Sequence, residues 1–204
     1  MVITLILARH GETDWNSIKK IQGSSDSSTL TKKGKEQARL LAEKINSMQI
    51  DVIYCSELKR AKETADIIAK KLKLPISYSK ELNERSFGEL EGGNVDEVFG
   101  MLRSIPLDRR YFYQPKGGES LAQFEKRVYL ETEEIIRANK DKVVLIVTHG
   151  GVIRALIHLF KRTPFEQRSD LYIPNTSLTV FKMEESEIIE EIIADSGHLT
   201  EELL

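Results

Sequence analysis

Val2-Ile3-Thr4-Leu5-Ile6-Leu7-Ala8-Arg9-His10-Gly11-Glu12-Thr13-Asp14-Trp15-Asn16 stands at the start of the chain, and its reading decides the fold. An apolar, β-favouring run breaks off at Arg-His-Gly and turns polar. The pattern predicts a buried strand that delivers a guanidinium and an imidazole to a sheet edge, with a glycine to free the backbone. Val143-Val144-Leu145-Ile146-Val147 repeats the pattern and ends in Thr148-His149-Gly150-Gly151. A third apolar run, Asp51 to Cys55, leads into Ser56 and Arg60.

Between these runs the spacing changes to that of amphipathic helices. Thr31 caps a helix with Ala38, Leu41, Ala42, Ile45 and Met48 on one face. A second helix, read as beginning at Ser56, buries Leu58, Ala61, Ala65, Ile68 and Leu72. Ser120-x-x-Gln123 is a capping box for a third, burying Leu121, Phe124, Val128 and Ile135. Further strands are expected at Pro75–Tyr78, Leu178–Lys182 and Ile188–Ile193, and a short helix near Val95 to Leu102. The serine-rich Ser24 to Ser28 reads as solvated loop. Alternating strands and helices predict an α/β protein, a three-layer α/β/α sandwich around a mostly parallel sheet. With no repeat and no linker in sight, residues 1–204 read as one domain.

The composition narrows the function classes. A formal net charge of −2 supplies no global positive field, so nucleic acid is not an expected partner. The opening apolar run is too short for a membrane span or a signal-peptide core. One cysteine excludes an internal disulfide framework and fits a reducing compartment, so the chain is expected to be cytoplasmic. Cys55 and Arg60 mimic a cysteine-phosphatase loop with one residue too few, and Cys55 reads as a buried inert thiol.

Two histidines in matching strand-end contexts, His10 and His149, are a coincidence that a purely structural role does not explain. His158 and His198 lack that context. Arg9 and Arg60 suit a phosphoryl group through fork-like hydrogen bonds, and their charge should hold a neighbouring imidazole unprotonated and nucleophilic. The N-terminus of the helix read from Ser56 is expected to face the same anion. A proton donor for the leaving alkoxide is needed. Glu84 is a candidate on its non-helical setting, though physics alone does not choose it over Glu81, Glu89 or Glu91. No run of residues has metal-ligand spacing, and no Gly-x-x-x-x-Gly-Lys loop is present.

Taken in order, these motifs resemble the histidine phosphatase superfamily, the phosphoglycerate mutase-like "RHG" proteins. The match includes Arg9-His10-Gly11-Glu12-Thr13-x-Trp15-Asn16, Gln22-Gly23, Leu30-Thr31-x-x-Gly34, Ser56-x-Leu58-x-Arg60-Ala61 and Leu82-Asn83-Glu84. It continues with Gly117-Gly118-Glu119-Ser120, Val147-Thr148-His149-Gly150-Gly151 and Pro174-Asn175-Thr176-Ser177. The resemblance implies a phosphoglycerate mutase-like fold and phosphoryl transfer through a phosphohistidine at His10. Arg9, Arg60 and His149 would hold the equatorial oxygens, Asn16 would add a hydrogen bond, and Glu84 would act as general acid and then base. Gln22 and Gly23, with Gly150 beside them, would line the substrate side. Lys20 stands where the family often has arginine, and Asp26 to Thr31 lacks the family's usual proline.

Within the family, a mutase needs an extended cover and added cations. Residues 93–117 are the expected cover; they are few, and Gly117-Gly118-Glu119-Ser120 resembles the phosphatase branch. Arg109 and Arg110 within them match the paired arginines of mutases and are candidate substrate contacts. The expectation is therefore a metal-independent phosphatase for small phosphorylated metabolites. A cofactor-dependent phosphoglycerate mutase is the alternative, and 2,3-bisphosphoglycerate would enter as phosphoryl donor only in that case. A phosphoprotein-binding module is the third reading, and it would be betrayed by loss of His10, Glu84 or an arginine, none of which is missing. A homodimer is compatible with such a chain.

Overall fold

The computed structural model describes residues 2–185 and 187–204. Along the chain run β1 (Val2–Arg9), α1 (Asp14–Ser17), α2 (Lys32–Ile45), β2 (Val52–Ser56), α3 (Lys59–Leu72), β3 (Ile76–Ser79), α4 (Val95–Ser104), α5 (Leu107–Arg110), α6 (Leu121–Ala138), β4 (Val143–Thr148), α7 (Gly150–Phe160), β5 (Leu178–Glu184) and β6 (Glu187–Asp195). The strands form one sheet in the order β3-β2-β4-β1-β5-β6. The pairs β3/β2, β2/β4 and β4/β1 are parallel, while β5 and β6 add an antiparallel edge.

Consecutive side chains on a strand face opposite ways, so a strand apolar throughout needs cover on both faces. On β1, Leu5 and Leu7 pack with Phe124 and Val128 of α6 and Val152 and Leu156 of α7. Ile6 and Ala8 pack instead with Leu41 and Ile45 of α2 and Ala61 and Ile68 of α3. Helices thus cover both faces, giving the expected three layers. Each Leu or Ile buried here contributes about 1.5–3 kcal/mol against exposure. A charged substitution at Leu145, fully buried at the sheet centre, would break the core.

The topology also chooses the site. β1 hands the chain to α2 on one face, and β4 hands it to α7 on the other, so a crevice opens between their carboxyl ends. Register pairs Arg9 with Thr148. The next residues, His10 and His149, therefore emerge side by side, and the His10 N–H donates to the Thr148 carbonyl at 2.9 Å.

One local expectation changes. The helix read from Ser56 begins at Lys59, because Ser56 still belongs to β2 and Leu58 is extended at the cap. The polar stretch after Gly11 contains α1, closed by a Thr13–Asn16 capping box. The 93–117 region holds α4 and α5, and Val98 and Leu102 anchor it in a small satellite core with Ile21 and Phe87. Asn94 caps α4 through the N–H groups of Asp96 and Glu97. Among the described residues, no helix is long and apolar enough to cross a membrane.

Candidate active site

His10 is 3 % exposed, and its Nδ1 lies 2.8 Å from the Gly11 carbonyl. A carbonyl can only accept, so Nδ1 carries the proton and Nε2 keeps its lone pair. The His149 ring lies beside it, 5.2 Å between centroids. His149 Nε2 is 2.7 Å from the Ser56 hydroxyl, which itself donates to Asn83 Oδ1 at 2.8 Å. Asn83 Oδ1 also accepts the Glu57 N–H, which fixes the amide's orientation. The Ser56 hydroxyl has one proton, so it accepts from His149, and Nδ1 is the nitrogen left over. That Nδ1 is buried with no protein partner. Burial first, then the Arg60 and Arg9 guanidiniums, hold the His10 imidazole well below its ordinary range. His149 is held down in the same way, by burial, Arg60, His10, Arg9 and Arg127.

Arg60, 1 % exposed, enters from the first turn of α3 and donates to the carbonyls of Gly23 (2.7 Å) and Ser25 (2.9 Å). Burial lowers it to about 10, still charged at neutral pH. Arg9 donates from Nη1 to the Ile173 carbonyl at 2.6 Å. The Nε atoms of both arginines are buried without a protein partner. A buried donor in that state costs about 1–3 kcal/mol, which an anion accepting from it would recover. The α3 N-terminus does not join them. Asp26 accepts the Lys59 N–H at 2.7 Å and occupies that end. The serine-rich loop is likewise not plain solvent-facing chain. Ser28 is buried on Gln22 Oε1, and Ser24 donates to Glu91 from both its N–H and its hydroxyl.

Glu84 follows β3 in a segment without regular structure. Its Oε1 accepts the Arg85 N–H and its Oε2 the Gly151 N–H, both at 2.9 Å. The second bond sets the carboxyl over the first turn of α7, where helix N–H groups lack internal partners. Gly151 is required there, since a Cβ would fall 2.2 Å from Glu84 Oε1. Glu81, Glu89 and Glu91 are not on the cavity wall, so of the four candidates only Glu84 reaches the site.

Arg9, His10, Asn16, Gln22, Gly23, Arg60, Glu84, Gly150 and Arg110 all line one cavity of about 690 Å³. His149 lies behind that wall, against the His10 ring. The Asn16 Oδ1 accepts from Thr13 and Asn175, leaving its amide NH₂ as the group for the cavity. Arg109 is exposed and outside the wall, so the pair splits. The physical reason is the turn after α4. Arg110 folds back to donate to the carbonyls of Arg103 and Ile105, which turns its neighbour outward.

Several wall residues were not singled out by the sequence. Arg154 and His158, on the α7 face that carries Gly151, line the cavity, as do Arg85 and Tyr172. Their i, i+3, i+7 spacing from Gly151 was the available signal. Thr176 holds φ +56, uncommon for a β-branched residue. Its N–H reaches the Arg9 and His10 carbonyls (3.1 and 3.3 Å), while Asn175 Nδ2 donates to the His10 carbonyl at 3.0 Å. Among the described residues, no group of three or more His, Cys, Asp or Glu could hold a metal ion. Burial raises the Cys55 thiol far above its ordinary range, so it is no nucleophile.

The model of the histidine phosphatase superfamily, branch 1, matches residues 5–195. Phosphoglycerate mutase-like protein 4 of Arabidopsis thaliana is 37 % identical over 185 residues, covering 88 % of this chain and 79 % of that one. The metal-independent phosphoserine phosphatase of the same plant is 34 % identical over 208 residues, covering 98 % and 84 %. The crystal structure of a phosphoglycerate mutase from Bacillus anthracis superposes with a TM-score of 0.84 at 26 % identity, covering 97 % and 95 %. The chain belongs to branch 1 of the histidine phosphatase superfamily.

Proposed function

We propose that residues 1–204 form a single histidine phosphatase domain that hydrolyses small phosphate monoesters through a phosphohistidine, with 93–117 as its cover. The observation that carries this reading is the pair of fixed tautomers. His10 offers Nε2 as an unprotonated nucleophile, and His149 offers a buried, partnerless Nδ1 beside it. Arg9 and Arg60 hold the phosphoryl oxygens, His149 makes a third contact by accepting at Nδ1 the proton that a monoanionic ester carries on one of those oxygens, and Asn16 adds a donor. His10 Nε2 forms a P–N bond as the P–O bond to the alcohol breaks, and Glu84 gives its proton to the departing oxygen. Water then attacks phosphorus as the P–N bond breaks, Glu84 takes the water's proton, and phosphate leaves. No metal and no dissociable donor takes part.

Hydrolysis is favoured over mutase chemistry by the split of Arg109 from Arg110, which removes the paired cations a mutase cover would present. Arg85, Arg110 and Arg154 line the cavity beyond the phosphoryl site with no carboxylate salt-bridge partner among the described residues. Esters with a second anionic group therefore suit it best. Relatives' names span both activities, and the phosphoserine phosphatase is one whose name states metal independence. The net charge of −2 suits metabolites over nucleic acid, and the single cysteine suits a cytoplasmic setting.

The test is a rapid quench after mixing with radiolabelled 3-phosphoglycerate in EDTA. Label on the protein should be lost in acid and kept in base, and His10→Ala should carry none. Label surviving that substitution would place the nucleophile elsewhere, and turnover that needs added magnesium would overturn the mechanism.

A further inference from the structure

We propose that Arg127, on the second turn of α6, is a positioning residue for Glu84, held in place by Glu119; the inference rests on the reading of Glu84 as the proton donor. Arg127 makes no contact with the cavity, and its work is visible in its hydrogen bonds. A guanidinium has five N–H donors in a rigid plane. Nη1 gives its two to the carbonyls of Glu81 (2.7 Å) and Asn83 (2.9 Å). Nη2 gives one to the Glu84 carbonyl (3.1 Å) and one to Glu119 Oε1 (2.7 Å), and Nε donates to Glu119 Oε2 (3.0 Å). All five are spent, three of them on the backbone that carries the acid.

That backbone has no helix or strand ladder, and apart from the ties of Asn83 to Ser56 and Glu57 and of the Phe87 N–H to Glu91 its carbonyls at Asn83 and Glu84 look to side chains. Buried main-chain groups need partners, and residues 83–87 lie in neither helix nor strand. Side chains serve instead. Thr148 Oγ1 donates to the Leu82 carbonyl at 2.7 Å, and Arg127 takes the carbonyls on either side of it. Glu119 adds a second tie, because its Oε1 also accepts the Ser86 N–H (2.9 Å) while its own N–H donates to the Ser86 carbonyl (3.0 Å). The guanidinium is packed 5.0 Å above the Phe124 ring, and the Ser120–Gln123 capping box fixes the helix start from which both residues project. The ion pair is mostly buried, with side chains 21 % and 18 % exposed, so removing either partner strands the other. The carboxyl itself is steadied by the N–H groups of Gly151 and of Arg85, the latter in the same segment. The segment beneath it therefore depends on this clamp.

A residue acting through a general acid has a signature that a structural residue lacks. Arg127→Lys and Glu119→Gln should be measured on aryl and alkyl phosphate monoesters of rising leaving-group pKa. Both variants should cut kcat/KM, which ends at the phosphohistidine and leaves out its hydrolysis, by ~10²-fold on alkyl esters, within the range general acids contribute, and by less than about 3-fold on p-nitrophenyl phosphate. The effect should vanish when either change is placed in Glu84→Gln. Should Arg127→Lys fail to fold, Glu119→Gln decides the matter, since it keeps the arginine. Equal slowing of all esters, or losses that add to that of Glu84→Gln, would overturn the proposal. If Glu84→Gln alone slows all esters equally, the reading of Glu84 fails instead.

Discussion

The floor of the cavity around His10 is made of strand ends and buried hydrogen bonds, whereas its outer wall, from Val95 to Arg110 and from Phe165 to Ile173, is short helix and turn. On the floor, Arg60, His10 and His149 are each nearly or fully buried and held by named backbone or side-chain partners. On the wall, Tyr172 is 75 % exposed, and the two wall segments meet in an exposed Arg103–Asp170 pair at 2.8 Å, of a kind that contributes about 0–1 kcal/mol. A firmer tie lies deeper, where Arg168 and Tyr111 both meet the buried Glu125 carboxylate. The contrast separates two tasks. Chemistry is set by sheet topology, and the choice of ester is left to segments the sheet does not constrain.

The largest test of that division is Gly151→Ala. The atoms nearest the added Cβ are the end of the Glu84 side chain, so the carboxyl must swing away while the fold stays. The kcat/KM for alkyl phosphates should fall by ~10²-fold, with that for p-nitrophenyl phosphate spared and the melting temperature almost unchanged. A variant that melts early and slows both esters alike would show the floor to be less independent of the core than described.

A smaller effect belongs to the wall. Arg154, tied by Nε to the Leu171 carbonyl at 2.9 Å, should act on binding and not on chemistry. Arg154→Ala should raise KM about 10-fold for an ester with a second anionic group, the order of one charge-assisted hydrogen bond, and leave p-nitrophenyl phosphate within about 2-fold. Arg109→Ala should change neither ester. A matching rise with Arg109→Ala would return that residue to the cavity and revive the paired-cation reading of the cover.

The same division explains what the sequence disclosed. β1 and β4 are legible because they are apolar on both faces and stop at histidine, and covalent order with right-handed crossovers then brings their ends together. Glu84 was narrowed only by its relatives' pattern, since four carboxylates share that stretch and just one reaches the crevice. Arg127 was invisible as a site residue because a lone arginine on a helix is ordinarily solvated. Its i+3 offset from buried Phe124 was the one clue. Ser24 and Ser28 misled for the converse reason: composition says solvent, while Glu91 and Gln22 supply partners from far along or back in the chain. The αL turn at Thr176 could not be read at all, because β-branched residues argue against it.

The mildest consequence of a buried floor concerns stability. His10 and His149 are neutral when folded, both held well below the ordinary value of 6.5, first by burial and then by arginine charge. Unfolding releases imidazoles that titrate near 6.5, so below that pH the unfolded chain binds more protons than the folded one. Stability is therefore complete above about 6.5 and declines as pH falls, by about 1 kcal/mol per imidazole one unit lower. For a chain of this length that is a drop of roughly 2–4 °C in melting temperature per imidazole. Lowering pH from 7.5 to 5.5 should show it in thermal melts, and His149→Gln should remove about half of the decline. His158 on the wall is also lowered by burial, but the Ser169 carbonyl 3.3 Å from its ring opposes that, so His158→Gln should alter the slope less. A larger change from His158 than from His149 would invert the comparison, making the wall the part of the molecule that senses acid.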